Sequence, residues 1–63
     1  MLYNIKKIRV ELGMTQEELV QLSGVTRATI SRLESGEEVE AKIGTLKAIA
    51  NAMKCKVSDL LCA

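Results

Sequence analysis

The stretch Met14-Thr15-Gln16-Glu17-Glu18-Leu19 constrains the fold more than any other part of this 63-residue chain. A threonine followed three residues later by a glutamate can satisfy two backbone donors at once. The Thr15 hydroxyl accepts from the Glu18 N–H, and the Glu18 carboxylate accepts from the Thr15 N–H. Met14 before the cap and Leu19 after it are spaced as a hydrophobic staple. The spacing predicts a helix that begins at Gln16, and Gly24 after Ser23 keeps it short. The same device then recurs. Thr26 caps a further helix that runs to about Glu34, Val25 and Ile30 form its staple, and Ser35-Gly36 stops it.

The rest of the chain reads as helix too. Ile5, Ile8 and Leu12 recur at i, i+3, i+7 and give a first helix one apolar stripe, with Lys6, Lys7 and Glu11 on the wet side and Gly13 at its end. Glu37-Glu38-Val39-Glu40 is an acidic connection. A fourth helix is expected from about Lys42 to Met53, burying Ile43, Leu46, Ile49, Ala50 and Met53. Lys54-Cys55-Lys56 links it to a last turn or two, Val57 to Leu61, which presents Val57, Leu60 and Leu61. No alternating apolar run and no Asn-Gly turn marks a strand. The expected fold is all-α, a single domain over residues 1–63.

Composition removes several function classes. Hydrophobic residues make up 48%, charged residues 27%, and proline is absent, which excludes disordered and low-complexity chains. No apolar run approaches the roughly 20 residues of a membrane span. The N-terminus lacks a signal-peptide layout, so a soluble cytoplasmic protein with no membrane partner is expected. There is no His and no Trp, and the two cysteines, Cys55 and Cys62, have no ligand partners. No metal site, cofactor or Cys–His nucleophile is expected, and the chain does not read as an enzyme. Cys55 reads as a small core residue and Cys62 as an incidental tail thiol, both reduced.

The net charge of +1 argues for no polyanionic partner by itself. Residues 1–36 carry Lys6, Lys7, Arg9, Arg27 and Arg32 against Glu11, Glu17, Glu18 and Glu34, so any nucleic-acid binding must come from local placement of charge. Two short capped helices joined through one glycine form a helix-turn-helix candidate. Leu19, Val25, Ile30 and Leu33 point beneath the pair, and Val20 faces the crossing helix. Arg27, Ala28, Ser31 and Arg32 point outward from a helix that projects from the domain. Such a helix fits the major groove of B-DNA, which is about 12 Å wide.

At these residues the chain resembles the phage-repressor and Cro-type (Xre-like) helix-turn-helix domains, over nearly its whole length. The marks are Ile8-Arg9, Leu12-Gly13, the box from Met14 to Leu19, Gly24-Val25-Thr26-Arg27, Thr29-Ile30-Ser31-Arg32-Leu33-Glu34 and Gly36. Later come Thr45-Leu46, Ile49-Ala50 and Ser58-Asp59-Leu60-Leu61. The resemblance implies a five-helix bundle and a dimeric, sequence-specific transcriptional regulator of double-stranded DNA, with Thr26 to Glu34 as recognition helix. It implies that Gln16 grips a phosphate and braces that helix, and that Thr26 lies near another. Arg27, Ala28 and Arg32 match positions facing base edges, with Thr29 and Ser31 flanking. Arg9 and Glu34 match a buried ion pair. The expected dimer contact is the C-terminal region with Val57, Leu60 and Leu61. A minimal regulator is expected, with neither an effector domain nor a small-molecule effector.

Three departures from the family stand out. Glu37, Glu38 and Glu40 occupy a segment that often carries basic residues and a proline. Val20 replaces a usual alanine, and Lys54 replaces a usual glycine, where a left-handed backbone would be strained. Blander readings run alongside: Gln16 as a solvated first-turn residue, Thr26 as a cap alone, Ala28 as a helix former, Arg27 and Arg32 as surface charges. The acidic segment and near-neutral charge support an alternative, a protein-interaction module of antitoxin-like or adaptor type.

Overall fold

The chain folds, in a computed structural model that describes residues 3–37 and 40–61, into five helices among those residues. They are α1 (Ile5–Glu11), α2 (Gln16–Ser23), α3 (Arg27–Ser35), α4 (Ile43–Ala52) and α5 (Val57–Leu60). The described residues contain no strand. One isolated antiparallel bridge joins Tyr3 to Leu61. Beside it the Asn4 N–H donates to the Leu60 carbonyl at 2.7 Å, which ties the N-terminal approach to the last helix.

The capping chemistry sets the starts of α2 and α3. The Glu18 N–H donates to Thr15 Oγ1 at 3.1 Å, and the Thr15 N–H donates to Glu18 Oε1 at 3.0 Å. The Thr29 N–H donates to Thr26 Oγ1 at 3.3 Å. Gly24, at φ 74°, closes α2 in the left-handed region, which glycine enters at little cost. Ser23 completes the turn: its hydroxyl donates to the Leu19 carbonyl at 2.6 Å and accepts from the Val25 N–H at 3.1 Å.

The core consists of Ile5, Leu19, Ile30, Leu33, Leu46, Ile49, Ala50, Met53 and Leu60. Full burial of each large aliphatic side chain contributes about 1.5–3 kcal/mol. Met14 and Val25, the outer halves of the two staples, are half-buried against this core, as is Val20. Helix α2 packs on both α3 and α4, α1 on α3, and α4 on α5.

Two expected burials and one expected exposure are corrected. Leu12 is 54% exposed and Ile43 is 62% exposed. Both continue the apolar spacing of their helices, but Leu12 lies past the end of α1 and Ile43 opens α4. Each therefore overhangs the edge of the core. Leu12 instead lines an open apolar groove with Met14, Leu22, Ala52 and Met53. Leu60 is the opposite case. It is 0% exposed and completes the protomer's own core, so it is withdrawn from any dimer surface.

Cys55 is half-buried and packs against the core. Burial, and secondarily the Asp59 carboxylate, push its thiol pKa up. Cys62 and Glu38 lie outside the described residues.

Lys54 follows α4 with φ 54°, a left-handed conformation that no other described non-glycine residue adopts. That conformation costs an L-residue about 1–2 kcal/mol, offset by glycine's larger unfolded-state entropy. Lys54→Gly is expected to stabilise the domain by about 0.5–1 kcal/mol. The measured sign would be a thermal midpoint raised by a few degrees; a lowered midpoint would show that the lysine stem contributes more packing than the strain costs.

Candidate nucleic-acid interface

Helix α3 has two unlike faces. Ile30, Leu33 and Glu34 are buried, whereas Arg27, Ala28, Ser31 and Arg32 are exposed and Thr29 is half-buried. At about 100° per residue the four exposed positions span roughly 140° of arc, opposite Ile30 and Leu33. Neither Arg27 nor Arg32 takes part in an ion pair among the described residues, so both guanidiniums keep their donors for another partner.

The first turn of α3 offers backbone donors. The Thr26 hydroxyl caps the Thr29 N–H and lies 3.0 Å from the Thr29 hydroxyl. That leaves the N–H groups of Arg27 and Ala28 open to water or an anion. The α2 start repeats the arrangement, with Glu18 capped by Thr15 and the N–H groups of Gln16 and Glu17 open.

One side-chain network ties the two helices to α1. Arg9 Nε donates to Glu34 Oε2 at 2.7 Å and Arg9 Nη2 to Glu34 Oε1 at 3.2 Å, a forked pair whose side chains are 12% and 5% exposed. Arg9 Nη1 donates to the Met14 carbonyl at 2.8 Å, just before the α2 cap. Gln16 Nε2 donates to Glu34 Oε1 at 2.7 Å. Gln16 is half-buried and thus belongs to a network as well as to the α2 start. The Gln16–Glu34 bond joins different helices 18 positions apart; the resemblance implies that Gln16 braces α3, but nothing in the sequence pattern marks Glu34 as the residue that receives it. Ser23 as a turn residue was also missed, although a serine directly before a helix-ending glycine is a signal for such a hydroxyl bridge.

The segments before and after the exposed arc in sequence carry exposed acidic side chains. Glu17 and Glu18 are exposed at the start of α2, and Glu37 and Glu40 are exposed beyond α3. Among the described residues no cluster of His, Cys, Asp or Glu could hold a metal ion. No helix among them is long and apolar enough to cross a membrane.

Residues 5–60 match the family model described as helix-turn-helix. The chain is 36% identical over 56 residues to the uncharacterized HTH-type transcriptional regulator YgzD of Bacillus subtilis, covering 89% of this chain and 83% of that protein. It is 35% identical over 57 residues to the HTH-type transcriptional repressor RghR of the same organism, covering 90% of this chain but 42% of RghR. Over 32 residues, 51% of this chain and 46% of the relative, it is 59% identical to an uncharacterized HTH-type transcriptional regulator of Methanothermobacter thermautotrophicus. No solved structure matches the chain significantly.

Proposed function

The chain belongs to the phage-repressor and Cro-type helix-turn-helix family, and on that premise we propose that it is a cytoplasmic repressor that reads double-stranded DNA as a homodimer. The observation that carries the reading is the outward arc of α3, with Arg27 and Arg32 unpaired on a helix whose other face is buried. Helix α3 enters the major groove, Arg27, Ala28 and Arg32 meet base edges, and Thr29 and Ser31 flank them. Gln16, Thr26 and the open N–H groups of α2 and α3 meet phosphates. The family is one of transcription regulators, and the network chemistry is structural, so no reaction is assigned.

One recognition helix reads only a few base pairs, too few for a lone protomer to be specific against a genome. With Leu60 buried, exposed Leu61 and half-buried Val57 remain as the C-terminal dimer contact. Selection of binding sites from random DNA by the purified protein is expected to yield a palindrome with half-sites about one turn, roughly 34 Å, apart. Sedimentation at micromolar concentration is expected to show a dimer. A monomer that selects single half-sites would overturn the dimer, and failure to select any sequence would overturn DNA reading.

The exposed Glu37 and Glu40 favour the second reading, a protein-interaction module of antitoxin-like or adaptor type. Heparin separates the two. A DNA reader is retained and elutes at raised salt, whereas an interaction module passes through.

A further inference from the structure

The amide of Gln16 is bonded to the recognition helix itself. Glu34 Oε1 accepts from Gln16 Nε2 at 2.7 Å and from Arg9 Nη2 at 3.2 Å, while Oε2 accepts from Arg9 Nε at 2.7 Å. A carboxylate only accepts, so a flipped Gln16 amide would set its carbonyl against another acceptor. The Gln16 amide is therefore held in one orientation. One Nε2 hydrogen is committed to Glu34, and the second has no partner among the described residues. Gln16 itself is only half-buried, on the exposed start of α2.

We propose that Glu34 is a positioning residue for DNA binding: buried and out of reach of DNA, it fixes the Gln16 amide so that the remaining N–H meets a backbone phosphate. The inference rests on the DNA-reading function proposed above. Two physical effects support it. A glutamine already ordered loses less rotamer freedom when it meets the phosphate. The Arg9 guanidinium offsets the Glu34 charge, so the carboxylate does not repel the phosphate that Gln16 receives. A phosphate gripped at Gln16 then sets the register of α3 through a single intervening carboxylate.

The test uses a selected operator in which one phosphate at a time is replaced by a neutral methylphosphonate. In wild-type protein, neutralising the phosphate that meets Gln16 is expected to lower affinity about tenfold, the effect of one charge-assisted hydrogen bond. Gln16→Met should abolish that penalty and leave the penalties at other phosphates unchanged. The double variant Arg9→Met with Glu34→Leu exchanges the buried pair for apolar side chains of similar size, a change proteins often tolerate. It should fold, yet lose the same single penalty to within about twofold, the scatter of such non-additive pairs.

A folded double variant that keeps the tenfold penalty would overturn the positioning role and leave DNA reading intact. Wild-type protein that selects no operator would overturn both. Should the double variant not fold, nitrogen-15 spectra of the wild type decide. One ε-proton of Gln16 must lie well downfield of those of exposed Gln21 before any DNA is added. Gln16 shifts equal to those of Gln21 would overturn the proposal.

Discussion

Arg9→Ala is expected to unfold the domain or to lower its denaturation midpoint sharply. The substitution strands the Glu34 carboxylate, whose side chain is 5% exposed, with only the Gln16 amide as donor. Leaving one member of a buried pair uncompensated costs about 3–5 kcal/mol. Whole domains have stabilities of about 5–15 kcal/mol, and a chain of this size buries a smaller share of its surface than larger ones. The loss is therefore comparable to the total. Arg9 also donates to the Met14 carbonyl, so its removal loosens the approach to the α2 cap. Urea denaturation followed by circular dichroism checks the expectation. A midpoint equal to that of wild type would mean that the pair behaves like surface ion pairs, which contribute about 0–1 kcal/mol.

The elements that could be read from sequence are those whose cause is local. The Thr15–Glu18 box and the Thr26 cap each depend on atoms three residues apart, and both helices start where those residues stand. The Gly24 turn and the left-handed backbone at Lys54 are local in the same sense. Burial is not local. Leu12 and Ile43 satisfy the apolar period of their helices, yet each lies where no neighbouring element covers it. Apolar character alone places Leu60 on the expected dimer surface, whereas it is buried in the protomer's own core beside the Asn4–Leu60 bond and the Tyr3–Leu61 bridge. The Gln16–Glu34 bond depends on how α2 crosses α3, and residue spacing carries no record of that crossing.

On the proposed DNA-reading function, Arg32 is the residue of the outward arc expected to separate reading from grip most sharply. It is exposed in the last turn of α3, whereas Arg27 opens the helix beside the open N–H groups of the first turn. An anion is favoured at that N-terminus, so Arg27 has a phosphate as an alternative to the base edge proposed for it, and Arg32 is the sharper test of base reading. An arginine deeper along the groove-facing arc can instead donate to guanine O6 and N7 together, which is worth about 1–3 kcal/mol of discrimination. Arg32→Ala is therefore expected to weaken the selected operator by roughly 5- to 150-fold, corresponding to that range. It should also relax preference at one base pair per half-site and leave binding to random DNA nearly unchanged. Gln16→Ala should behave differently, weakening operator and random DNA by a similar factor, because a phosphate contact carries no sequence information. Both variants are to be compared on the operator, its single-base variants and random DNA at fixed salt, and then across a salt series. Loss of affinity by Arg32→Ala that is equal for every sequence, with a salt slope reduced by about one contact, would make Arg32 a phosphate ligand and move base reading to Arg27 and Ala28.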